Sequence, residues 1–290
     1  MPLPRQTILT LEVLRADLEA FAEQIQAEWD YPVIQLERPR HNRGWLEMFF
    51  EDPGEAEIAA TVLKDRPEVI GHMIREESPR DWQTFWRHHF HTTEIGDHLR
   101  IVPVWERENA PTEGPRKNIW LDPGLSFGTG DHFTTRFCLE MVDKLAPHDD
   151  VQTMLDIGTG SGILSIAAKR LGVEKIIGTD NDATALEQTL ENFTLNDVEG
   201  QIELVTADIL NDAPKGSFDL VCANVYTSIL IEAAPVVFAS AKNYIVLSGI
   251  RDFELDSVAI IYAGLGCEEI FRDGDGEWGG LAFRKKANRL

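Results

Sequence analysis

The stretch VQTMLDIGTGSGILSIAAKRLG, residues 151–172, constrains the fold of this 290-residue chain more than any other. The apolar run ending at Ile157 reads as a buried strand, and Ile163 to Leu171 as a helix closed by Gly172. Between them Gly158, Gly160 and Gly162 occupy alternate positions. Glycines at such a junction let the backbone turn tightly and bring a ligand close to the helix N-terminus, where unpaired amides point outward. A nicotinamide dinucleotide site asks for G-x-G-x-x-G. Position 163 is Ile, so the third glycine comes one residue early and a dinucleotide is disfavoured.

Downstream, strands alternate with helices. EKIIGTD reads as a second strand, Asp182 to Leu195 as a helix, and IELVTADI and FDLVCAN as strands three and four. A helix over Ser228 to Ala239, the strand YIVLSGI, a helix over Leu255 to Ala263 and closing strands around CEEIF and LAFRKK complete the run. This alternation predicts an α/β fold with a doubly wound, mainly parallel seven-stranded sheet. Asp180 ends the second strand, 22 residues beyond Gly158. A carboxylate there accepts hydrogen bonds from both ribose hydroxyls of an adenosine; the competing use is as a helix cap, a role open to Asp182 instead. Asp208, ending strand three, is positioned either to meet an adenine amino group or to serve as a loop carboxylate.

The first part of the chain reads differently. Leu9, Leu11 and Val13 alternate as in a strand, and Leu14, Leu18, Phe21, Ile25 and Trp29 recur at helical spacing. Strand-like runs over Pro32 to Glu37 and Trp45 to Glu51 flank the turn RPRHNRG, followed by a helix over Glu55 to Lys64 and a last strand over Val69 to Ile74. Strand, helix, strand, strand, helix, strand is the ferredoxin-like α+β pattern. The expected organisation is therefore a small domain over 1–80, a connector over 81–117 and the large domain over 118–290. In the connector, Trp82, Phe85, Trp86 and Phe90 form an apolar helical face; His88, His89 and His91 lack acidic or cysteine partners at zinc-like spacing, so no metal is expected.

Composition narrows the function. Residues 1–120 carry 14 basic and 22 acidic groups and residues 121–290 carry 13 and 27, for a formal charge of −22 overall. Both halves repel a phosphate backbone, so direct nucleic-acid binding is disfavoured and a basic partner protein is favoured. Cys138, Cys222 and Cys267 are odd in number and far apart, as expected of reduced core thiols. No apolar run reaches membrane-spanning length, and Met1 to Thr10 lacks a signal-peptide core, so a cytoplasmic protein without membrane contact is expected.

One stretch resists a packing explanation. LDPGLSFGTGDHFTT, residues 121–135, leads into an apolar helix, and Leu125, Phe127 and Phe133 are its only sizeable apolar side chains after the opening Leu121. Such a composition suits a loop that closes over a polar ligand.

The G-x-G-x-G form, with Asp156 ahead of it and Asp180 beyond, resembles the class I methyltransferases that bind S-adenosylmethionine. LDPGLSFGTGDHFTT, LDIGTGSGILSIAAKRLG, GTDNDATALEQTLEN, DLVCANVYTSILIEAAP and LSGI, in that order and spacing, resemble the ribosomal protein L11 methyltransferases, the PrmA family. The connector DWQTFWRHHFHTTEIGDHLRIVPVWE is similar as well, so the resemblance runs roughly from Asp81 to Arg284. It implies S-adenosylmethionine as cofactor, with contacts at Thr135, Gly158, Asp180 and Asn224; Gly160 of the glycine loop and Asp208 at the end of strand three complete the expected cofactor set by their places in the chain. It also implies methyl transfer to lysine or N-terminal amines of a basic large-subunit ribosomal protein, by a monomer. RNA or a small molecule is the alternative acceptor, and a cofactor-binding module without catalysis a further one.

A lysine amine has an ordinary pKa of ~10.4, and only its neutral form attacks. The site must desolvate the ammonium and offer acceptors that orient its lone pair. Asn224 is the candidate catalytic residue for that task. The family continues Asn-Ile-Leu where this chain has Asn224, Val225 and Tyr226, which places Tyr226 as a candidate lining of the acceptor channel. His132 is expected to hydrogen-bond locally rather than act as a base. Arg38, Arg40 and Arg43 form a basic turn whose contact with an acidic partner or RNA would redirect target choice.

Overall fold

A computed structural model describes residues 6–29, 33–37, 42–50, 52–77, 90–122, 130 and 132–286. The expectations for Arg38, Arg40, Trp82, Phe85, Trp86, His88 and His89, and for most of the 121–135 loop including Leu125 and Phe127, lie outside the described residues. The chain divides into two compact units, Met1–Trp86 and Arg87–Leu290.

The first unit contains strand β1 (Gln6–Leu14), helix α1 (Leu18–Trp29), strands β2 (Val33–Glu37) and β3 (Arg43–Phe50), helix α2 (Pro53–Leu63) and strand β4 (Val69–Glu77). Its sheet has the order β2-β3-β1-β4 with every neighbour antiparallel, which is the ferredoxin-like arrangement. Period-two alternation makes this work: Leu9, Leu11 and Val13 of β1 and Leu46, Met48 and Phe50 of β3 all join one core with α1 and α2. Asp52 starts α2, its carboxylate accepting the Gly54 N–H at 2.8 Å, with Pro53 at the first helical position, where it costs no hydrogen bond.

The second unit opens with β5 (Thr93–Ile95), β6 (Leu99–Pro103) and β7 (Lys117–Leu121), which form a three-stranded sheet. From residue 90 onward, the segment expected to be a connector is thus part of this unit: Phe90, Ile95, Leu99, Ile101, Ile119 and Leu121 are buried in its core. The sequence shows the strand Leu99–Pro103 but not its parallel pairing with β7, which no local pattern announces. His91 lies there too, its Nδ1 3.0 Å from Glu106 Oε1.

Next come α3 (Phe133–Leu145), β8 (Thr153–Ile157), α4 (Ile163–Arg170), β9 (Lys175–Asp180), α5 (Ala183–Leu195), β10 (Glu203–Thr206) and β11 (Phe218–Asn224). Helices α6 (Thr227–Glu232) and α7 (Ala234–Ser240), β12 (Ala241–Arg251), α8 (Leu255–Gly264), β13 (Cys267–Gly274) and β14 (Trp278–Lys285) complete the unit. The single helix expected over 228–239 is two. Pro235 sits in the first turn of α7, and its missing N–H and ring clash break the run at Ala233.

The main sheet has the order β10-β9-β8-β11-β12-β14-β13, parallel except for β14, which runs antiparallel to β12 and β13. Both faces are covered. Met154, Cys222, Val246 and Ala282 pack towards α3 and α4, while Leu155, Val221, Ile245 and Leu247 pack towards α6, α7 and α8. Burial on both faces is why these strands read as continuous apolar runs. The strand order reverses between β8 and β11, and in open sheets of this kind ligands bind outside the carboxyl ends at that switch point. Among the described residues no helix is long and apolar enough to cross a membrane.

Candidate active site at the carboxyl ends of the central sheet

Gly158 follows β8 directly, Asp180 closes β9 and Asn224 closes β11, so the topology alone brings three of the expected residues to one edge. Gly158, Gly160 and Gly162 take positive φ angles of 68°, 51° and 78°. A Cβ on Gly158 would stand 2.6 Å from Val225 Cγ1, so a side chain there is excluded by space as well as by backbone conformation.

Side chains from neighbouring elements pin the glycine loop. The Gly160 N–H donates to Asp180 Oδ2 at 3.0 Å, and the Gly160 carbonyl accepts from Thr189 Oγ1 at 2.6 Å. Asn192 Nδ2 donates to the Ser161 carbonyl at 2.9 Å. Beneath the loop, Asp156 is fully buried, and its Oδ2 accepts from Thr159 Oγ1 at 2.8 Å and Ser165 Oγ at 2.7 Å. Asp156 Oδ1 has no hydrogen-bond partner among the described residues. Burial pushes its carboxyl up to about 6, against the pull of the Ser165 and Thr159 hydrogen bonds.

Beside the loop lies a cleft open to solvent, lined by Gly158, Asp180, Asn181, Asp208, Ile209 and Val225 among others. Asp180 Oδ1 also accepts the Asp182 N–H at 3.1 Å, while the helix-cap role falls to Asp182, which starts α5 by accepting the Thr184 N–H at 2.8 Å. Asp180 is thereby held at the cleft wall as an oriented acceptor. Asp208 is also in the wall, but its carboxylate closes a local turn, taking the Leu210 N–H at 2.9 Å and Asn211 Nδ2 at 2.5 Å. The loop-carboxylate alternative is therefore occupied, and any ligand contact at Asp208 shares those oxygens.

Thr135 lies in the first turn of α3, 1% exposed, and accepts from Asn224 Nδ2 at 3.4 Å. His132 caps that helix, with Nδ1 2.8 Å from Thr134 Oγ1 and 3.4 Å from the Thr134 N–H. Burial lowers its pKa; Asp275 and Glu277 pull it up and Arg251 pushes it down, with a net lowering. The shift favours the neutral ring, whose Nδ1 serves as the cap acceptor. Gly249 of β12, at φ 80°, backs the Asn224 turn: a Cβ there would come 2.3 Å from the Val225 carbonyl oxygen. Tyr226, next in the chain to Val225 of the cleft wall, is 64% exposed. Burial raises the pKa of the Cys138 and Cys222 thiols, which stay neutral in the core.

The residues present fit an adenosyl ligand: a cradle that a Cβ at Gly158 would fill, an oriented carboxylate at Asp180, and apolar walls at Ile209 and Val225. Strand β10 ends at Thr206, so Asp208, expected to end it, stands two residues beyond in the following turn; Asn181 and Ile209 adjoin Asp180 and Asp208 in the chain and carry no signal of their own. Thr189 and Asn192 carry no local signal, since on α5 they read as ordinary helix residues.

The profile of the ribosomal protein L11 methyltransferase family (PrmA) matches residues 22–286. A ribosomal protein L11 methyltransferase of Geobacter sulfurreducens is 43% identical over 243 residues, covering 83% of this chain and 76% of that protein. The one from Geotalea uraniireducens is 40% identical over 251 residues, covering 82% and 76%. The crystal structure of a ribosomal protein L11 methylase from Lactobacillus delbrueckii subsp. bulgaricus superposes with a TM-score of 0.61 at 32% identity, covering 68% of this chain and all of that one. With the switch-point cleft and its glycine loop, these matches make the chain a member of the ribosomal protein L11 methyltransferase family, with S-adenosylmethionine as its cofactor.

Proposed function

We propose that the protein methylates lysine or N-terminal amines of ribosomal protein L11. The observation that carries this reading is the contact between Asn224 and Thr135 beside the cleft. With Nδ2 turned to Thr135, the remaining polar atom of the Asn224 side chain is the acceptor Oδ1, which is what the N–H of an attacking amine needs. When bound, S-adenosylmethionine supplies an electrophilic methyl group, so the protein's task is alignment and exclusion of water. In this reading Asp180 takes the ribose hydroxyls and Gly158 and Gly160 let the backbone approach. Asp208 lies towards the adenine, Thr135 meets the cofactor, and Asn224 touches both cofactor and acceptor.

The charge of −22 supports a basic protein acceptor over RNA, and we read the enzyme as a cytoplasmic monomer whose first unit recognises the substrate. The test is transfer from methyl-labelled S-adenosylmethionine to purified L11, with ribosomal RNA offered in parallel and the products mapped by mass spectrometry. Label on L11 amines is expected. Label that ribonuclease removes would overturn the protein reading and make Arg38, Arg40 and Arg43 the next residues to change; cofactor binding with no transfer to either would leave a binding module.

A further inference from the structure

We propose that Asn192, which does not line the cleft, is a positioning residue for cofactor binding, acting by locking the glycine loop to the end of β7. Asn192 lies inside α5 and is 1% exposed. Asparagine is a poor helix former, and a buried amide costs free energy unless its donors and acceptor are met, so its place there asks for a reason. Both ends of the amide are engaged. Nδ2 donates to the Ser161 carbonyl at 2.9 Å, and Oδ1 accepts the Asp122 N–H at 3.3 Å. The opposite amide orientation would set donor against donor and acceptor against acceptor, so the partners fix the assignment.

Asn192 thus ties together two chain segments 39 positions apart, Asp122 just beyond β7 and Ser161 in the glycine loop. One turn before it, Thr189 holds the adjoining Gly160 carbonyl at 2.6 Å. One turn after it, Asn196 grips β7 instead, accepting the Trp120 N–H at 2.9 Å and donating to the Trp120 carbonyl at 2.6 Å. Thr189 and Asn192 of α5 and Asn196 at its C-terminal cap are all buried, at helical spacing. Only the first two reach the glycine loop among the contacts described. A loop of three positive-φ glycines has few conformational preferences of its own, so the geometry it offers a ligand depends on what holds its carbonyls.

The ladder supplies its own control. Asn192→Ala and the near-isosteric Thr189→Val remove bonds to the loop, whereas Asn196→Ala removes bonds of the same kind that never touch it. In the full-length protein, calorimetric titration with S-adenosylmethionine at 15 °C, below each variant's melting midpoint, reads the dissociation constant. Asn192→Ala is expected to raise it about tenfold and Thr189→Val about threefold, while Asn196→Ala lowers the melting temperature but leaves the constant within twofold. The transfer rate at saturating cofactor is expected to stay within threefold for Asn192→Ala, because the loss is one of binding. Unchanged cofactor affinity in Asn192→Ala and Thr189→Val, or an equal loss in Asn196→Ala, would overturn the proposal. Should Asn192→Ala fail to fold, Thr189→Val against Asn196→Ala decides it on the same measure.

Discussion

On the side of the cleft assigned to adenosine, the Gly160 N–H, the Gly160 carbonyl and the Ser161 carbonyl are each held by a different side chain: Asp180, Thr189 and Asn192. On the acceptor side, Asn224 meets Thr135 through a long hydrogen bond of 3.4 Å, and two residues on Tyr226 is 64% exposed. On the first side Thr189 and Asn192 are buried and all three bonds are 3.0 Å or shorter; the second side is tied by one longer bond and continues into an exposed tyrosine. A cofactor identical in every turnover rewards rigidity, since ordering costs are met at folding rather than at binding. An acceptor that must enter and leave as part of a protein needs room.

Substitutions can break or sharpen this contrast. The largest effect is expected from Gly249→Ala, which sets a Cβ against the Val225 carbonyl at a positive φ and must displace the Asn224 turn. Methyl transfer should fall more than about 100-fold, and cofactor affinity should fall with it by a smaller factor, since Val225 also walls the cleft; an equal loss of both would erase the distinction between the two sides.

Next is Asp156, whose electrostatic cost belongs to the rigid side. Its carboxyl sits at about 6 in the folded protein against an ordinary 3.8, so between those values the folded state holds more protons than the unfolded one. Its contribution to stability is therefore greatest below pH ~4 and lost as pH rises through ~6, on the order of 3 kcal/mol in all. Urea unfolding of wild type and Asp156→Asn from pH 4 to 7.5 should show a difference in the variant's favour at pH 7 that shrinks as pH falls. A difference independent of pH would refute the buried ionisation.

Asp180→Ala should weaken S-adenosylmethionine binding by about 30-fold, as loss of a charged acceptor and of the Gly160 anchor predicts. The smallest effect is expected from Asn224→Ala: a fall of about tenfold in the rate at saturating cofactor, with affinity for S-adenosylmethionine within threefold. Were its effect on cofactor affinity as large as that of Asp180→Ala, Asn224 would belong to the rigid side.

What the sequence revealed follows the same division. Asp180, Gly158 and Asn224 were legible because strand ends and glycine turns are local features, and the sheet order then brings them together. The ferredoxin-like pattern of the first unit was legible because single-faced strands alternate with period two. Thr189 and Asn192 were not, because their partners lie 29 and 31 positions away and a helix surface does not announce what it faces. The β6–β7 pairing was hidden for the same reason: parallel neighbours share no turn that a sequence would mark. Pro235 marks the break between α6 and α7, but the apolar residues on either side of it share helical spacing, so the composition alone suits one helix.

Strand β7 lies at the outer edge of its three-stranded sheet, and an edge strand is a template on which another chain can pair. Asn196 presents a carboxamide to both the N–H and the carbonyl of Trp120, meeting them as the peptide group of a further strand would. One side chain at the cap of a helix thus takes up the pairing groups of Trp120, so that point of the edge is occupied without a proline or a charge in the strand's centre.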